Sequence, residues 1–288
     1  MSMNSAPNER VLADWEHWPI DAKPTVVRSM TGGQNNTSWL LEAAGKHLVL
    51  KSFTETTTAD RSRQIQQWAA KRSLAPPVLY FDRPTSYLLM EYVEQPTIQT
   101  VNIVEPGLQQ LSTALAKLHA APVDSIASIA GRFDLLAFCE QYLEGAANQT
   151  VLRHKALLPI LNLCLADDNP ECLCHNDLVA ENCFVDDEGA QFIDWDYAQL
   201  NNPWFDLASA MIYWQLDQAQ CEKFLGSYRE GWDELATSAV CRAAQCTVLW
   251  IDLLWYEYRN PSIDQALAKT KLKKLESLAA TFDIHLPG

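Results

Sequence analysis

The sequence is short of positive charge. Its 22 lysines and arginines face 36 aspartates and glutamates across 288 residues, leaving a formal charge of -14. A field of that sign repels phosphate backbones and anionic lipid heads, which argues against nucleic acid and membrane surfaces as partners and favours small cationic molecules. No stretch approaches 18 uninterrupted apolar residues, and Met1 to Asp14 lacks a basic start followed by an apolar run. The expectation is a cytoplasmic protein with no membrane span. Eight cysteines are present, but none stands in a paired C-x-x-C arrangement. Cys172, Cys174, His175 and Cys183 crowd one stretch with C-x-C-H spacing, so the cysteines read as free, buried, small apolar side chains and not as disulfides or zinc ligands. Internal repeats, low-complexity tracts and long Gly/Ser linkers are also missing. What remains is ordinary globular composition, 48% hydrophobic and 20% charged, sufficient for one large domain or two lobes.

Two regimes of periodicity divide the chain. From Thr25, β-prone runs at Val26 to Met30, Thr37 to Glu42 and His47 to Phe53 alternate with turns and read as an antiparallel meander. A helix comes next, from Thr58 to Ser73, stopped by Pro76-Pro77, and then strands at Val78 to Phe81 and Tyr87 to Tyr92. After Pro106, Leu108, Leu111, Leu115 and Leu118 fall at helical spacing, and most of the remaining chain is helical. The exception is 172 to 197, where Cys172 to Cys174, Cys183 to Val185 and Gln191 to Ile193 are strand-like pieces around a polar loop. The expected architecture is α+β, with a β-rich N-terminal lobe over residues 1–92 and a mainly helical lobe over 93–288.

The strongest chemical signal is His175-Asn176-Asp177 with Asn182 five residues after the aspartate, and then Ile193-Asp194-Trp195-Asp196. Moving a γ-phosphoryl group to a hydroxyl needs a carboxylate near the attacking oxygen and oxygen ligands that hold magnesium against the phosphates. Asp177 suits the first role, and Asn182 and Asp194 suit the second. His175, at the loop rim, reads as a hydrogen-bonded structural residue. Upstream, Gly32-Gly33 lies between two strands, where it either lets backbone N–H groups approach phosphates or simply closes a hairpin. No P-loop is present. Lys51, one strand beyond the glycines, stands where a kinase places the lysine that pairs with phosphates.

These residues carry a resemblance to the choline kinase and aminoglycoside phosphotransferase superfamily of small-molecule kinases, which share the protein-kinase-like fold. It rests on Thr31 to Asn36, Lys51, Leu89-Met90-Glu91-Tyr92, Leu118-His119, His175 to Asn182 and Ile193 to Ala198, and it runs from about Val26 to Asn260. The resemblance implies ATP and Mg2+ as cofactors, adenine held by backbone around Glu91 and Tyr92, Asp177 as catalytic base, and Asn182 and Asp194 as metal ligands. Asp194 to Ala198 with Asn202 to Ala208 is similar to bacterial choline kinases, whereas Leu254 to Arg259 resembles bacterial thiamine kinases. Kinases of this kind pair the strand lysine with a helix glutamate, yet the helix from Thr58 to Ser73 contains none. Gln64 is the expected substitute.

Both implied acceptors are small alcohols with a permanent positive charge, a chemistry served by aromatic faces beside carboxylates. On a helix spanning about Ala243 to Arg259, Asp252, Trp255, Tyr256 and Arg259 share a face, while Trp250, Leu254 and Glu257 share another. Asp252 and Trp255 are the expected substrate-binding residues; packing, with Asp252 paired to an arginine such as Arg259, is the alternative. The sequence therefore points to an ATP-dependent kinase of a small cationic alcohol, choline before thiamine. An aminoglycoside or sugar kinase and a non-catalytic nucleotide-binding module are the rivals.

Overall fold

The protein is described by a computed structural model covering residue 7 and residues 9–30, 36–98, 105–166, 169–186, 189–259 and 265–287. Gly32 and Gly33 lie outside the described residues. The chain forms two compact units. The first comprises Met1–Ala114, Asp124–Ala130 and Ala180–Ala198; the second comprises Leu115–Val123, Gly131–Val179 and Gln199–Gly288.

The first unit opens with α1 (Glu9–Ala13) and continues through β1 (Thr25–Met30), β2 (Thr37–Ala43), β3 (Lys46–Ser52), α2 (Thr56–Ala70), β4 (Val78–Asp82) and β5 (Tyr87–Glu91). The sheet is antiparallel throughout, in the order β1-β2-β3-β5-β4. The expected meander of three strands is present. Ala44 and Gly45, at φ 51° and 76°, make the two-residue turn between β2 and β3, a conformation that glycine adopts without steric cost. Period-two alternation separates the two faces of the sheet. Leu41, Leu48, Leu50 and Leu89 pack with Trp18, Trp39 and Tyr87 on one side, while Val49, Phe53, Leu88 and Met90 meet Ala59 of α2 on the other. Lys51 has the parity of Val49 and Phe53, which puts its side chain on the α2 face.

The chain proceeds through α3 (Glu105–His119), α4 (Ala127–Ala130), α5 (Leu135–Leu143), α6 (Asn148–Leu165) and β6 (Cys172–Cys174), then forms the hairpin of β7 (Cys183–Asp186) and β8 (Gly189–Phe192). That hairpin belongs to the first unit. Phe192 N–H donates to Leu74 carbonyl at 2.8 Å, Val185 N–H donates to Pro96 carbonyl at 3.4 Å, and Thr97 bridges Phe184. The first unit thus extends to Ala114 and also takes in residues 124–130 and 180–198, the last of these hydrogen-bonded to it through the hairpin.

The second unit is helical around α9 (Ala239–Arg259), against which α5, α6, α7 (Trp204–Tyr213) and α10 (Gln265–Ala280) pack; α8 (Gln218–Tyr228) lies beside the turn at Asp233–Thr237. The packed stripe of α9 includes Ala243, Cys246, Trp250 and Leu254, at the i, i+3, i+4 spacing of a core-facing helix. A short strand, β9 (Gln199–Asn201), pairs antiparallel with β6. Among the described residues, no helix is long and apolar enough to cross a membrane. All eight cysteines are buried and free of disulfides.

Candidate active site

In the first unit the centre is Lys51. A lysine on the inner face of a strand loses hydration, a loss tolerable only if carboxylates replace the water. Its Nζ lies 2.8 Å from Asp194 Oδ1 and 2.9 Å from Asp196 Oδ2, and 4.6 Å from the centre of the Phe53 ring. Burial pulls the Lys51 pKa down, but Asp194 and Asp196 outweigh it and hold the ammonium above its ordinary value. Asp196 is fixed in turn by Ser62 Oγ at 2.7 Å and Asn36 Nδ2 at 2.6 Å, and Arg61 donates to its carbonyl. The expectation for Gln64 is corrected by this geometry. Its amide donates to the carbonyl of Asp60 at 3.3 Å, along its own helix. What α2 contributes to the lysine site is Ser62, acting on Asp196, so the acid missing from the helix is supplied by the second aspartate of Asp194-Trp195-Asp196.

Asn182 and Asp194 are brought together by the hairpin. Cys183 pairs with Phe192, and the Ile193 N–H donates to the Asn182 carbonyl at 3.0 Å, so the two residues flank the open end of β7 and β8. Asp194 has φ 66°, a left-handed conformation uncommon outside glycine and asparagine or aspartate. At the end of β5, which pairs with the Lys51 strand, Glu91 N–H donates to Pro77 carbonyl at 3.2 Å and Tyr92 N–H to His47 carbonyl at 3.4 Å. Both donors of the expected adenine-binding segment are therefore used within the unit.

The second unit holds Asp177 on a loop built around a carboxylate. Asp206 Oδ2 accepts from the N–H of His175 at 2.7 Å, and Oδ1 accepts from that of Asn176 at 2.8 Å. Asn201 Nδ2 donates to Asn176 Oδ1 at 2.9 Å, and Trp214 Nε1 donates to the Leu178 carbonyl at 3.0 Å. Asn176 takes φ 62°, which turns the chain immediately before Asp177. Asp206 is wholly buried, and His119 Nε2 lies 3.1 Å from its Oδ2. Burial lowers the His119 pKa, yet Cys172 and Asp206 together leave it raised. Sequence reading assigned Asp206 no role; a lone carboxylate in the otherwise uncharged helix Trp204–Tyr213 was the available signal. His175 is fully buried and does not sit at a loop rim.

His119 also meets Cys172 and Cys174, their ligand-type atoms all lying within 4.8 Å of one another. The imidazole nitrogens are already engaged by Asp206 and by the Tyr228 hydroxyl at 3.0 Å, and Cys174 Sγ lies 3.6 Å and 3.5 Å from the Asn201 and Asn202 carbonyls. These contacts make the group a packed hydrogen-bonded cluster.

Asp252 on α9 is ion-paired with Lys271 of α10; the side chain of Arg259, the other expected partner, lies outside the described residues. The Lys271 ammonium stands 5.0 Å from the Tyr213 ring centre and 4.9 Å from that of Tyr256. Burial pushes the Asp252 carboxyl up, opposed by Lys271 and by a hydrogen bond from Tyr213. The Tyr213 phenol is held well above its usual range by burial and by the charges of Asp252 and Asp177. Asp177 and Asp252 thus act on one tyrosine. Trp255 meets Tyr256 edge to face at 5.3 Å and borders this group through it. On the opposite side of α9, Leu254 and Glu257 line a cavity of about 370 Å³ with Tyr142 and Thr150, whose hydroxyl donates to the Glu257 carboxylate.

Five antiparallel strands carrying a buried lysine, a hairpin presenting Asn182 and Asp194, and a helical unit presenting Asp177 define an α+β phosphotransferase with a protein-kinase-like fold. The chain matches the phosphotransferase enzyme family over residues 26–242 and belongs to it. It is 26% identical over 215 residues to the protein LicA of Haemophilus influenzae, covering 69% of this chain and 62% of that protein's length. Its fold is similar to that of choline kinase LicA from Streptococcus pneumoniae, with TM-score 0.72 and 19% identity over 95% of this chain and 98% of the other. A thermostable mutant of the aminoglycoside phosphotransferase APH(4)-Ia, in a ternary complex with ADP and hygromycin B, gives TM-score 0.73 and 16% identity over 96% and 99%.

Proposed function

We propose that the protein is an ATP-dependent kinase that transfers the γ-phosphoryl group to the hydroxyl of a small cationic alcohol, with choline the first expected acceptor. The observation that carries the cationic part is the grouping of Asp252 with the Tyr213 and Tyr256 rings in the unit that holds Asp177. The likeness to LicA, named a choline kinase in the Streptococcus pneumoniae structure, supports the same acceptor.

Each residue has a chemical task. Asp177 orients the acceptor hydroxyl and takes its proton as the oxygen attacks the γ-phosphorus and ADP departs. Lys51, kept charged by Asp194 and Asp196, offsets phosphate charge. Asn182 and Asp194 would hold magnesium: both offer oxygen donors at neighbouring positions, and the Asp194 side chain is 33% exposed, as a metal that keeps several waters requires. The ion supplies further charge neutralisation on the phosphates. The strand end at Glu91 and Tyr92 is the proposed adenine edge, meeting the base through carbonyl acceptors because these two N–H groups are engaged. Gly32 and Gly33 remain proposed phosphate-loop residues.

The test is ADP release with magnesium and ATP across choline, ethanolamine, thiamine, an aminoglycoside and a neutral sugar. Selective turnover of choline or thiamine is expected. Asp177→Asn should lower kcat by a factor on the order of 10² to 10⁴ while ATP still binds. Turnover of the sugar alone would overturn the cationic reading, and near-normal turnover by Asp177→Asn would falsify the base assignment.

A further inference from the structure

Lys271 differs from the other lysines of its helix. Lys269 and Lys273 are exposed on α10, as lysines on a solvated face are. The Lys271 side chain is only 13% exposed and that of its partner Asp252 11%. A surface ion pair needs neither this burial nor the two tyrosine rings that flank the ammonium at 5.0 and 4.9 Å. A carboxylate with two electron-rich ring faces within roughly 6 Å is the chemistry that recognises an onium ion. The chain fills that cage with its own ammonium. Asp177 acts electrostatically on Tyr213, one wall of the cage, so the cage and the proposed base are neighbours within one unit.

We propose that Lys271 is a tethered competitor of the acceptor: the cationic head of the alcohol enters the Tyr213, Tyr256 and Asp252 cage by displacing the Lys271 ammonium into solvent. The inference rests on the cationic-alcohol reading above. Exchange of one cation for another never leaves the Asp252 carboxylate buried without a counter-charge, which makes displacement easier than simple departure of the lysine. The exchange also has a preferred direction. A primary ammonium is strongly hydrated and regains water on a flexible four-carbon stem, whereas a quaternary head has little hydration to lose on entering. The cage should therefore take a quaternary head such as that of choline in preference to a primary one such as that of ethanolamine. Because the competitor is tethered, acceptor affinity is reduced by the fraction of time that Lys271 occupies the cage.

The probe is tetramethylammonium, which carries the cation without a hydroxyl and reports binding independently of turnover. Calorimetric titration at fixed ionic strength should show about tenfold tighter binding to Lys271→Met and Lys271→Gln than to the parent protein. The gain should vanish in Lys271→Met combined with Asp252→Asn, with thermal melts verifying that each variant is folded. A second readout needs no substitution. In the parent protein, acetylation of Lys271 followed by mass spectrometry should quicken several-fold when tetramethylammonium saturates, while Lys269 and Lys273 stay unchanged. Unchanged or weaker probe binding in the folded Lys271 variants, or unchanged Lys271 acetylation, overturns the proposal. Tighter probe binding without turnover of any cationic alcohol upholds the tether and overturns the kinase reading. Choline turnover with probe binding indifferent to Lys271 does the reverse.

Discussion

Among the described residues, each unit of the protein holds a lysine largely out of water against acid, and the two are held differently. Lys51 stands on a central strand between two carboxylates, and Asp196 is itself tied by Ser62, Asn36 and Arg61. Lys271 stands on a helix against one carboxylate and two ring faces. Over-determination fixes the first in one geometry, suited to a charge that must meet a phosphate at a set position. The second has, among the described residues, one ionic partner and neighbours that a different cation would satisfy equally well. Similar burial thus serves permanence in one case and exchange in the other.

The comparison breaks most sharply at Lys51. Lys51→Met leaves Asp194 and Asp196 facing each other without a cation, and removal of one partner of a buried pair costs about 3 to 5 kcal/mol. A lowered melting temperature is expected with a kcat reduced by about 100-fold or more. Lys271→Met should instead leave kcat close to the parent value. Equal losses of kcat would erase the distinction between the two lysines.

A smaller effect sharpens the account of how Lys51 is held. Ser62→Ala removes one buried hydrogen bond to Asp196, a change of about 1 kcal/mol, and should raise the KM for ATP severalfold. Gln64→Ala, whose amide serves only a carbonyl of its own helix among the contacts described, should change ATP kinetics by less than twofold. Steady-state kinetics on the two variants side by side decides the matter. A larger loss from Gln64→Ala would restore the glutamine as the lysine's support.

The two lysines also differ in how far the sequence alone reveals them. Strand parity puts Lys51 on the side of Val49 from the sequence alone, but that this side faces α2 is seen only in the packing of Val49 with Ala59. The strand-like pieces at 183 and 191 are legible too, while their pairing, which brings Asn182 to Asp194, is seen in the structure. The anchor of Lys51 was not legible: an acid is expected on the adjacent helix, whereas Asp196 arrives 145 residues later in the chain. β9 went unseen because three residues, Gln199 to Asn201, carry no periodicity of their own and exist as a strand only through pairing with β6. Lys271 was hidden among the lysines at 269, 273 and 274, which together look like a solvated helix face. Only packing of α10 on α9 distinguishes one of them.

The last prediction concerns pH and the helix that carries Asp252. His154 of α6 accepts a hydrogen bond at Nδ1 from Trp250 Nε1 at 3.1 Å and stacks on that ring at 6.0 Å between centres. The bond requires a neutral Nδ1 lone pair. Burial holds the His154 pKa below its usual 6.5, only partly opposed by the charge of Glu140. Between the lowered folded value and 6.5 the unfolded chain binds more protons than the folded one, so stability from this contact is full above pH 6.5 and declines as pH falls through that window. Lys51 has the opposite sign: with a folded pKa raised above 10.5, its contribution is full below that value and is lost only in more alkaline solution. Melting curves from about pH 8 to pH 5 should therefore show the parent protein losing stability relative to His154→Gln, which cannot titrate. Parallel curves for the parent and His154→Gln would remove the imidazole from the acid response and leave α9 supported by packing alone.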